Sequence, residues 1–188
     1  AIVAVGENIH VVWKDNRDGN DEIYYKHSTN SGLSWENDFR ISNNPGVSTN
    51  TSIAANGLSI HVVCSDNRDG NYEIYYKRST DGGYVWGTET RLTNSTGTSD
   101  YPSMALVGTE LRIVWQDSRD GNVEIYYKSS TNNGTSWEAD VRITNAAGSS
   151  ETPSIAMLGT TIHVAWMESR DANREIYYKQ STNYGINW

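Results

Sequence analysis

Hydrophobic and polar residues alternate with a period of two along short segments of this chain. In Ile9-His10-Val11-Val12-Trp13, three side chains (Ile9, Val11 and Trp13) point one way while His10 and Val12 point the other, which is the pattern of a β-strand. The first 51 residues divide into four predicted strands: A over 1–5, B over 9–14, C over 22–28 and D over 38–42. Gly6 marks the A–B turn, and Asp18-Gly19 marks a B–C hairpin, a pair favoured where positive φ is required. No useful window shows helical periodicity. The expected class is all-β.

The same pattern then recurs. Trp13, Cys64, Trp115 and Trp166 lie 51 residues apart, and the sequence EIYYK begins at Glu22, Glu73, Glu124 and Glu175 with the same spacing. Residues 1–51, 52–102 and 103–153 align without a gap, and 154–188 is a fourth copy that stops after its Trp. A period near 50 residues built from short strands is the signature of propeller blades. The expectation is one array over 1–188: four-stranded antiparallel blades, the last lacking its outer strand. Copy 4 reads Asp171-Ala172 at the B–C hairpin, so glycine there is helpful without being obligatory.

The C–D connections read Ser28-Thr-Asn30-Ser-Gly32-Leu-Ser-Trp35, Ser79-Thr-Asp81-Gly-Gly83-Tyr-Val-Trp86, Ser130-Thr-Asn132-Asn-Gly134-Thr-Ser-Trp137 and Ser181-Thr-Asn183-Tyr-Gly185-Ile-Asn-Trp188. This motif resembles the Asp-box, or BNR repeat, of sialidases and related β-propellers, four times over and across the whole chain. The resemblance implies a structural staple: Ser and Asx cap their own turn, Gly takes a left-handed conformation and Trp packs between sheets. Asn replaces the family's Asp in three copies; only Asp81 matches it, and Asn still accepts the turn hydrogen bond. Four such blades rarely close a ring in that family. The chain is therefore expected to be a fragment of a longer protein, or a half-ring that self-associates to complete the propeller.

Composition sharpens this picture. Seven Trp and 12 Tyr against one Phe suit pleated surfaces, and the Trp together with the paired Tyr fall at repeat-equivalent positions. A net charge of −8 argues against nucleic acid as a partner. No apolar run is long enough for a membrane helix. One cysteine rules out a disulfide framework or a multi-cysteine metal site, and no cofactor is expected. Cys64 takes a Trp position and reads as an inert buried thiol. Sequons at Asn50, Asn94 and Asn133, with the acidity and scarce cysteine, favour a secreted or cell-surface protein.

Candidate chemistry concentrates in the B–C loops, which a propeller of this order places on the face opposite the Asp-boxes. They carry Asp15 with Arg17, Asp66 with Arg68, Asp117 with Arg119, and Glu168 with Arg170. Sialidase-like enzymes use that face to bind sugars, clamping a carboxylate with arginines. Here the eight residues are candidates for a repeated sugar or anion site. The competing reading is that Arg17 pairs with Asp15, Asp18 or an acid of the next blade and only stiffens its loop. Symmetry weighs against catalysis, because a glycosidase needs unlike groups at unlike places. Phe39-Arg40-Ile41-Ser42 is similar to the family's arginine motif but recurs in strand D without its Pro, so no catalytic residue is assigned.

Other signals are weaker. His10, His61 and His163 share one strand-B position with Arg112, which spoils a metal set. The B–C loops fail a calcium-loop pattern because Arg occupies its third position. Of each Tyr pair (Tyr24-Tyr25 and its equivalents), one ring is expected to pack between blades, and the other either packs as well or forms an exposed aromatic platform for sugar rings. Three functions fit: a non-catalytic extracellular recognition or scaffold propeller, with glycans or a protein as partner; part of a sialidase-like exo-glycoside hydrolase whose catalytic residues lie elsewhere; or a structural adhesin-like array.

Overall fold

The computed structural model describes residues 1–170 and 173–188. Every regular element in it is a strand. Sheet 1 is ordered β1 (Ile2–Val5), β2 (Asn8–Asp15), β3 (Glu22–Ser28), β4 (Phe39–Arg40), and sheet 2 is β5 (Ser48–Asn56), β6 (Ser59–Asp66), β7 (Glu73–Ser79), β8 (Thr90–Arg91). Sheet 3 is β9 (Ser99–Val107), β10 (Glu110–Asp117), β11 (Glu124–Ser130), β12 (Val141–Arg142); sheet 4 has three strands, β13 (Ser150–Leu158), β14 (Thr161–Glu168) and β15 (Glu175–Ser181). All pairings are antiparallel between chain neighbours. The chain forms two compact units, Ala1–Leu92 with sheets 1 and 2 and Thr93–Trp188 with sheets 3 and 4.

The predicted strands B and C lie where the alternation puts them, with Trp13 facing Tyr24, Cys64 facing Tyr75, Trp115 facing Tyr126 and Trp166 facing Tyr177. Strand D is shorter than the predicted 38–42, with two ladder residues, Phe39 and Arg40. A side chain ends it. Ile23 N–H donates to Ser42 Oγ at 2.7 Å, and Ile125 N–H to Thr144 Oγ1 at 2.7 Å, so the hydroxyl takes the place of a strand carbonyl. Strand A of the later copies is longer than in the first, and the 51-residue boundaries fall inside β5, β9 and β13. Each of these strands shifts register against its partner, around a residue with positive φ: Asn50 (45°), Tyr101 (54°) and Thr152 (48°). Such bulges bend a strand and increase its twist.

Each unit has its own core between its two sheets. In the first, Val12, Ile23, Tyr25 and Ile41 pack against Ile53, Ile60, Val62 and Cys64. In the second, Val114, Ile125, Tyr127 and Ile143 pack against Ile155, Ile162, Val164 and Trp166. Burying a side chain of this size contributes about 1.5–3 kcal/mol. The Tyr pairs of sheets 1 to 3 are buried on both strand faces, Tyr24 and Tyr25 included, so neither set forms an exposed platform there; in sheet 4 Tyr178 is exposed.

Candidate functional site

Each B–C loop leaves one strand and enters the next in strict register: Asp15 faces Glu22, Asp66 faces Glu73, Asp117 faces Glu124 and Glu168 faces Glu175. The tip of the first loop turns at Gly19, whose φ of 111° an L side chain rarely adopts. The fourth loop's Asp171-Ala172 lies outside the described residues.

In the first three loops the first acid caps the turn that follows. Arg17 N–H donates to Asp15 Oδ1 at 2.9 Å, Arg68 N–H to Asp66 Oδ1 at 2.9 Å and Arg119 N–H to Asp117 Oδ1 at 3.0 Å. The guanidinium then folds back onto the same carboxylate. Arg68 donates from Nε and Nη2 to Asp66 at 2.9 and 2.7 Å, and Arg119 to Asp117 at 2.9 and 2.6 Å, a two-pronged fit. Arg17 Nη2 reaches Asp15 at 2.5 Å and Arg170 Nη2 reaches Glu168 at 3.0 Å. Nη1 takes a second acid just before the outer strand: Asp38 for Arg17 at 2.8 Å, Glu89 for Arg68 at 2.7 Å, Asp140 for Arg119 at 2.8 Å. Each guanidinium also covers a tyrosine ring, 4.5 Å from Tyr24, 4.1 Å from Tyr75, 4.3 Å from Tyr126 and 4.3 Å from Tyr177.

The eight predicted residues are therefore brought together in pairs, each Arg with its own acid. Of the partners expected for Arg17, Asp15 is taken; Asp18 instead accepts from the Tyr24 hydroxyl and from Arg40 at 3.2 Å. Arg170 differs in lining an open cleft of about 390 Å³ with Thr144, Asn145, Trp166, Tyr177 and Tyr178. The related space in the first unit, bordered by Ser42, Tyr75 and Glu89, is closed to about 10 Å³.

Sequence reasoning missed the layer behind these loops. Glu22, Glu73 and Glu124 head strand C and are fully buried. Glu22 accepts from Arg40 Nη2 at 2.7 Å, from Asn44 N–H at 3.0 Å and from the Ser42 hydroxyl; Glu124 accepts from Arg142 at 2.7 Å, from Ala146 N–H at 2.9 Å and from Thr144 at 2.5 Å. Ser48 Oγ donates to Asp66 at 2.6 Å, and Ser150 Oγ to Glu168 at 2.7 Å, so the first residue of the inner strand holds the acid that faces it on the neighbouring strand of the same sheet. Gly46 and Gly148 bring these loops close. A Cβ at Gly46 would lie 2.6 Å from Arg68 N, and one at Gly148 2.5 Å from Arg170 N. The 51-residue recurrence of Gly46, Gly97 and Gly148 was the available signal.

These partners set the electrostatics. The Arg17 guanidinium holds the Asp15 carboxyl well below its usual range. Burial alone would raise Asp66 and Asp117, but hydrogen bonds from Arg68 and Ser48, and from Arg119, Trp115 and Ser99, lower both. Glu22 and Glu168 are lowered in the same way, against burial, by their own hydrogen-bond donors. Burial pushes the Cys64 thiol well up, as suits an inert core residue. His10 and His61 pack inside the sheets, each ring 2.7 Å from a tyrosine hydroxyl, Tyr25 and Tyr76.

At the opposite end of the sheets the C–D turns bond to themselves. Ser28 Oγ accepts from Gly32 N–H at 2.9 Å, and Asn30 Oδ1 accepts from Ser34 N–H at 2.9 Å; Ser79 and Asp81 do the same for Gly83 and Val85 at 2.9 Å each. The third and fourth turns repeat it, with Ser130 to Gly134 at 3.0 Å, Asn132 to Ser136 at 2.9 Å, Ser181 to Gly185 at 2.9 Å and Asn183 to Asn187 at 3.0 Å. The closing Trp reaches the preceding sheet of its unit: Trp86 stands edge-on to Tyr25 at 4.9 Å and Trp188 to Tyr127 at 5.1 Å.

No family model and no curated protein sequence matches the chain. Solved structures do. The Trypanosoma rangeli sialidase in complex with 2,3-difluorosialic acid, as its covalent intermediate, superposes with a TM-score of 0.73 at 14% identity, over 100% of this chain and 36% of that one. The fold is a sialidase-like β-propeller. Its sheets are blades. The Hadza microbial sialidase Hz136 gives 0.76 at 11% identity, over 100% of this chain and 45% of that one. The GH93 α-L-arabinofuranosidase of Fusarium graminearum, complexed with arabinobiose, gives 0.73 at 15% identity over 97% and 61%. The chain thus spans less than half the length of these sialidases. No helix among the described residues is long and apolar enough to cross a membrane.

Proposed function

We propose that the chain is a non-catalytic recognition and scaffold propeller of a secreted or cell-surface protein, with carbohydrate as its ligand class and its C–D turns as Asp-boxes. The observation that carries the non-catalytic part is that Asp15, Asp66, Asp117 and Glu168 are each paired with the arginine of their own loop, and Glu22 with Arg40. A glycosidase acid must be held protonated by a raised pKa. Asp15, Glu22, Asp66, Asp117 and Glu168 are all shifted the other way, by arginine, hydroxyl or backbone donors.

The arginines fit the role of clasps more than that of a free anion clamp. Their donors are directed at Asp15, Asp38, Asp66, Glu89, Asp117, Asp140 and Glu168, and a substrate carboxylate would have to displace an internal one. Recognition through this face would then use the rigid backbone and exposed polar tips of the loops. Fluorogenic α-sialosides and α-L-arabinofuranosides should not be turned over by the 188-residue chain. Release of the fluorophore above the uncatalysed rate would instead make this a working part of a glycoside hydrolase.

A further inference from the structure

The four blades act as an internal alignment, and four of their departures from one another meet at a single cleft. A cleft of about 170 Å³ opens between the first two blades at the Asp-box end, lined by Tyr25, His27, Glu36, Asn37, Phe39 and Tyr84, with Gly83 at its edge. Tyr25, Glu36 and Gly83 belong to the repeated skeleton, since the second unit has Tyr127, Glu138 and Gly185 in their places. The other four do not: His27, Asn37, Phe39 and Tyr84 correspond there to Ser129, Ala139, Val141 and Ile186. Three aromatic or imidazole rings and an amide have thus been added to one blade junction.

The added groups are built into the fold in a way that leaves binding capacity unused. His27 is buried, stacks 5.9 Å from His10 and meets Tyr84 edge-on at 4.9 Å, yet its Nε2 has no hydrogen-bond partner among the described residues. A buried polar atom of this kind is costly unless something satisfies it. Burial lowers the His27 pKa, so the ring is neutral at pH 7 and offers either a donor or an acceptor. Tyr84 and Phe39 are exposed large aromatics at the rim. Gly83 lets the turn close over Tyr25, whose hydroxyl would lie 1.9 Å from an added Cβ.

We propose that this cleft binds one neutral pyranose ring. Tyr84 and Phe39 supply apolar surface for the C–H face of the sugar, Glu36 and Asn37 take its hydroxyls, and the His27 ring backs the cleft. The volume is below the roughly 300 Å³ at which drug-sized pockets begin, which suits a single ring. The Glu36 carboxylate and the acidic protein disfavour an anionic sugar, so the ligand differs in charge from sialic acid. The cleft lies at the opposite strand ends from the B–C loops, and the two assignments stand or fall separately.

The test is a titration of the ¹⁵N-labelled 188-residue chain with the methyl glycosides of glucose, galactose and mannose, and with methyl N-acetylneuraminide. At least one neutral glycoside should bind with a Kd of about 1 mM, shifting the amides of His27, Asn37 and Tyr84. The combined variant H27S/N37A/F39V/Y84T uses residues that equivalent positions of the third blade already carry (Ser129, Ala139, Val141 and Thr135), so it should keep the fold. It should bind at least about tenfold more weakly, a difference of about 1.4 kcal/mol. The single variant Y84T, at an exposed site, gives the same readout if the combined one does not fold. Failure of all three neutral glycosides to bind, undiminished binding by Y84T, or tighter binding of the sialoside would each overturn the proposal.

Discussion

Arg68 and Arg17 hold equivalent positions but differ in what depends on them. Asp66 is fully buried and receives two prongs from Arg68, so Arg68→Ala leaves a desolvated carboxylate without its counter-charge. The expected loss is about 3–5 kcal/mol, read from urea unfolding monitored by tryptophan fluorescence. Arg17 is 46% exposed and its acids are in partial contact with water. Arg17→Ala should cost clearly less than Arg68→Ala, because water screens an exposed pair; equal losses for the two would remove burial as the deciding factor. A second residue-scale effect is acid sensitivity in two stages. Burial, helped by the neighbouring His27, lowers His10 from 6.5 to about 4. The unfolded chain therefore binds the extra proton between these values, and stability falls as pH drops from about 6.5 to 4. Asp66 and Asp117 have lowered folded pKa values, so their contribution is complete above about pH 4 and is lost as pH falls further. Thermal midpoints from pH 7 to 2 should show both stages, and His10→Leu should flatten the first only.

At the scale of the element, the most exacting positions are where a loop meets the next sheet. A Cβ at Gly97 would lie 2.5 Å from Arg119 N and 2.6 Å from the Ser118 carbonyl carbon, both backbone atoms that cannot swing aside. Gly97→Ala should therefore push the loop off and break the bond from Thr98 N–H to Ser118 Oγ, 2.9 Å long. The cost should be about 1–3 kcal/mol, with faster amide exchange at Thr98 as the local sign; unchanged exchange there would mean the loop yields freely. Strands B and C were legible because their alternation and their Trp–Tyr register come from adjacent residues. The outer strand was legible in its place but not in its length, because Ser42 stops it by a contact with Ile23 and Glu22, about 20 residues away in sequence. Glu22 itself reads as a solvent-facing strand end; only the arrival of Arg40, Ser42 and Asn44 makes it a buried centre. The pairing of each loop arginine with the acid two residues before it could be read from the sequence as one of two alternatives, but the double pairing needed Asp38, Glu89 and Asp140, which sequence places beside a different strand.

At the scale of the whole chain, repeat equivalence relates an exposed face of the first blade to an exposed face of the fourth. In the first unit Ile23 and Tyr25 are buried against the second blade, with Ile53 and Trp86 on the other side; Tyr127 and Trp188 meet in the same way in the second unit. The fourth blade presents the same face uncovered, with Ile176 76% and Tyr178 56% exposed. The first blade leaves open the complementary one, where Ile2 (67%) and Trp35 (41%) are the equivalents of Ile53 and Trp86. A second copy that met the fourth blade through its own first blade would repeat a contact the chain already makes twice. Tyr178 would stand against Trp35 of the second copy, its hydroxyl donating to the Ser31 carbonyl, as Tyr25 donates to Gly82 at 3.3 Å and Tyr127 to Tyr184 at 3.0 Å. The 188-residue chain should thus associate head to tail with rising concentration, and more readily in salt, which screens the repulsion between copies of charge −8. Sedimentation equilibrium should show the mass rising above that of one chain, and Tyr178→Ser and Trp35→Ser should each lower it toward one chain because they remove the two sides of one contact. A single-chain mass at every concentration, or association indifferent to both substitutions, would exclude this mode of pairing.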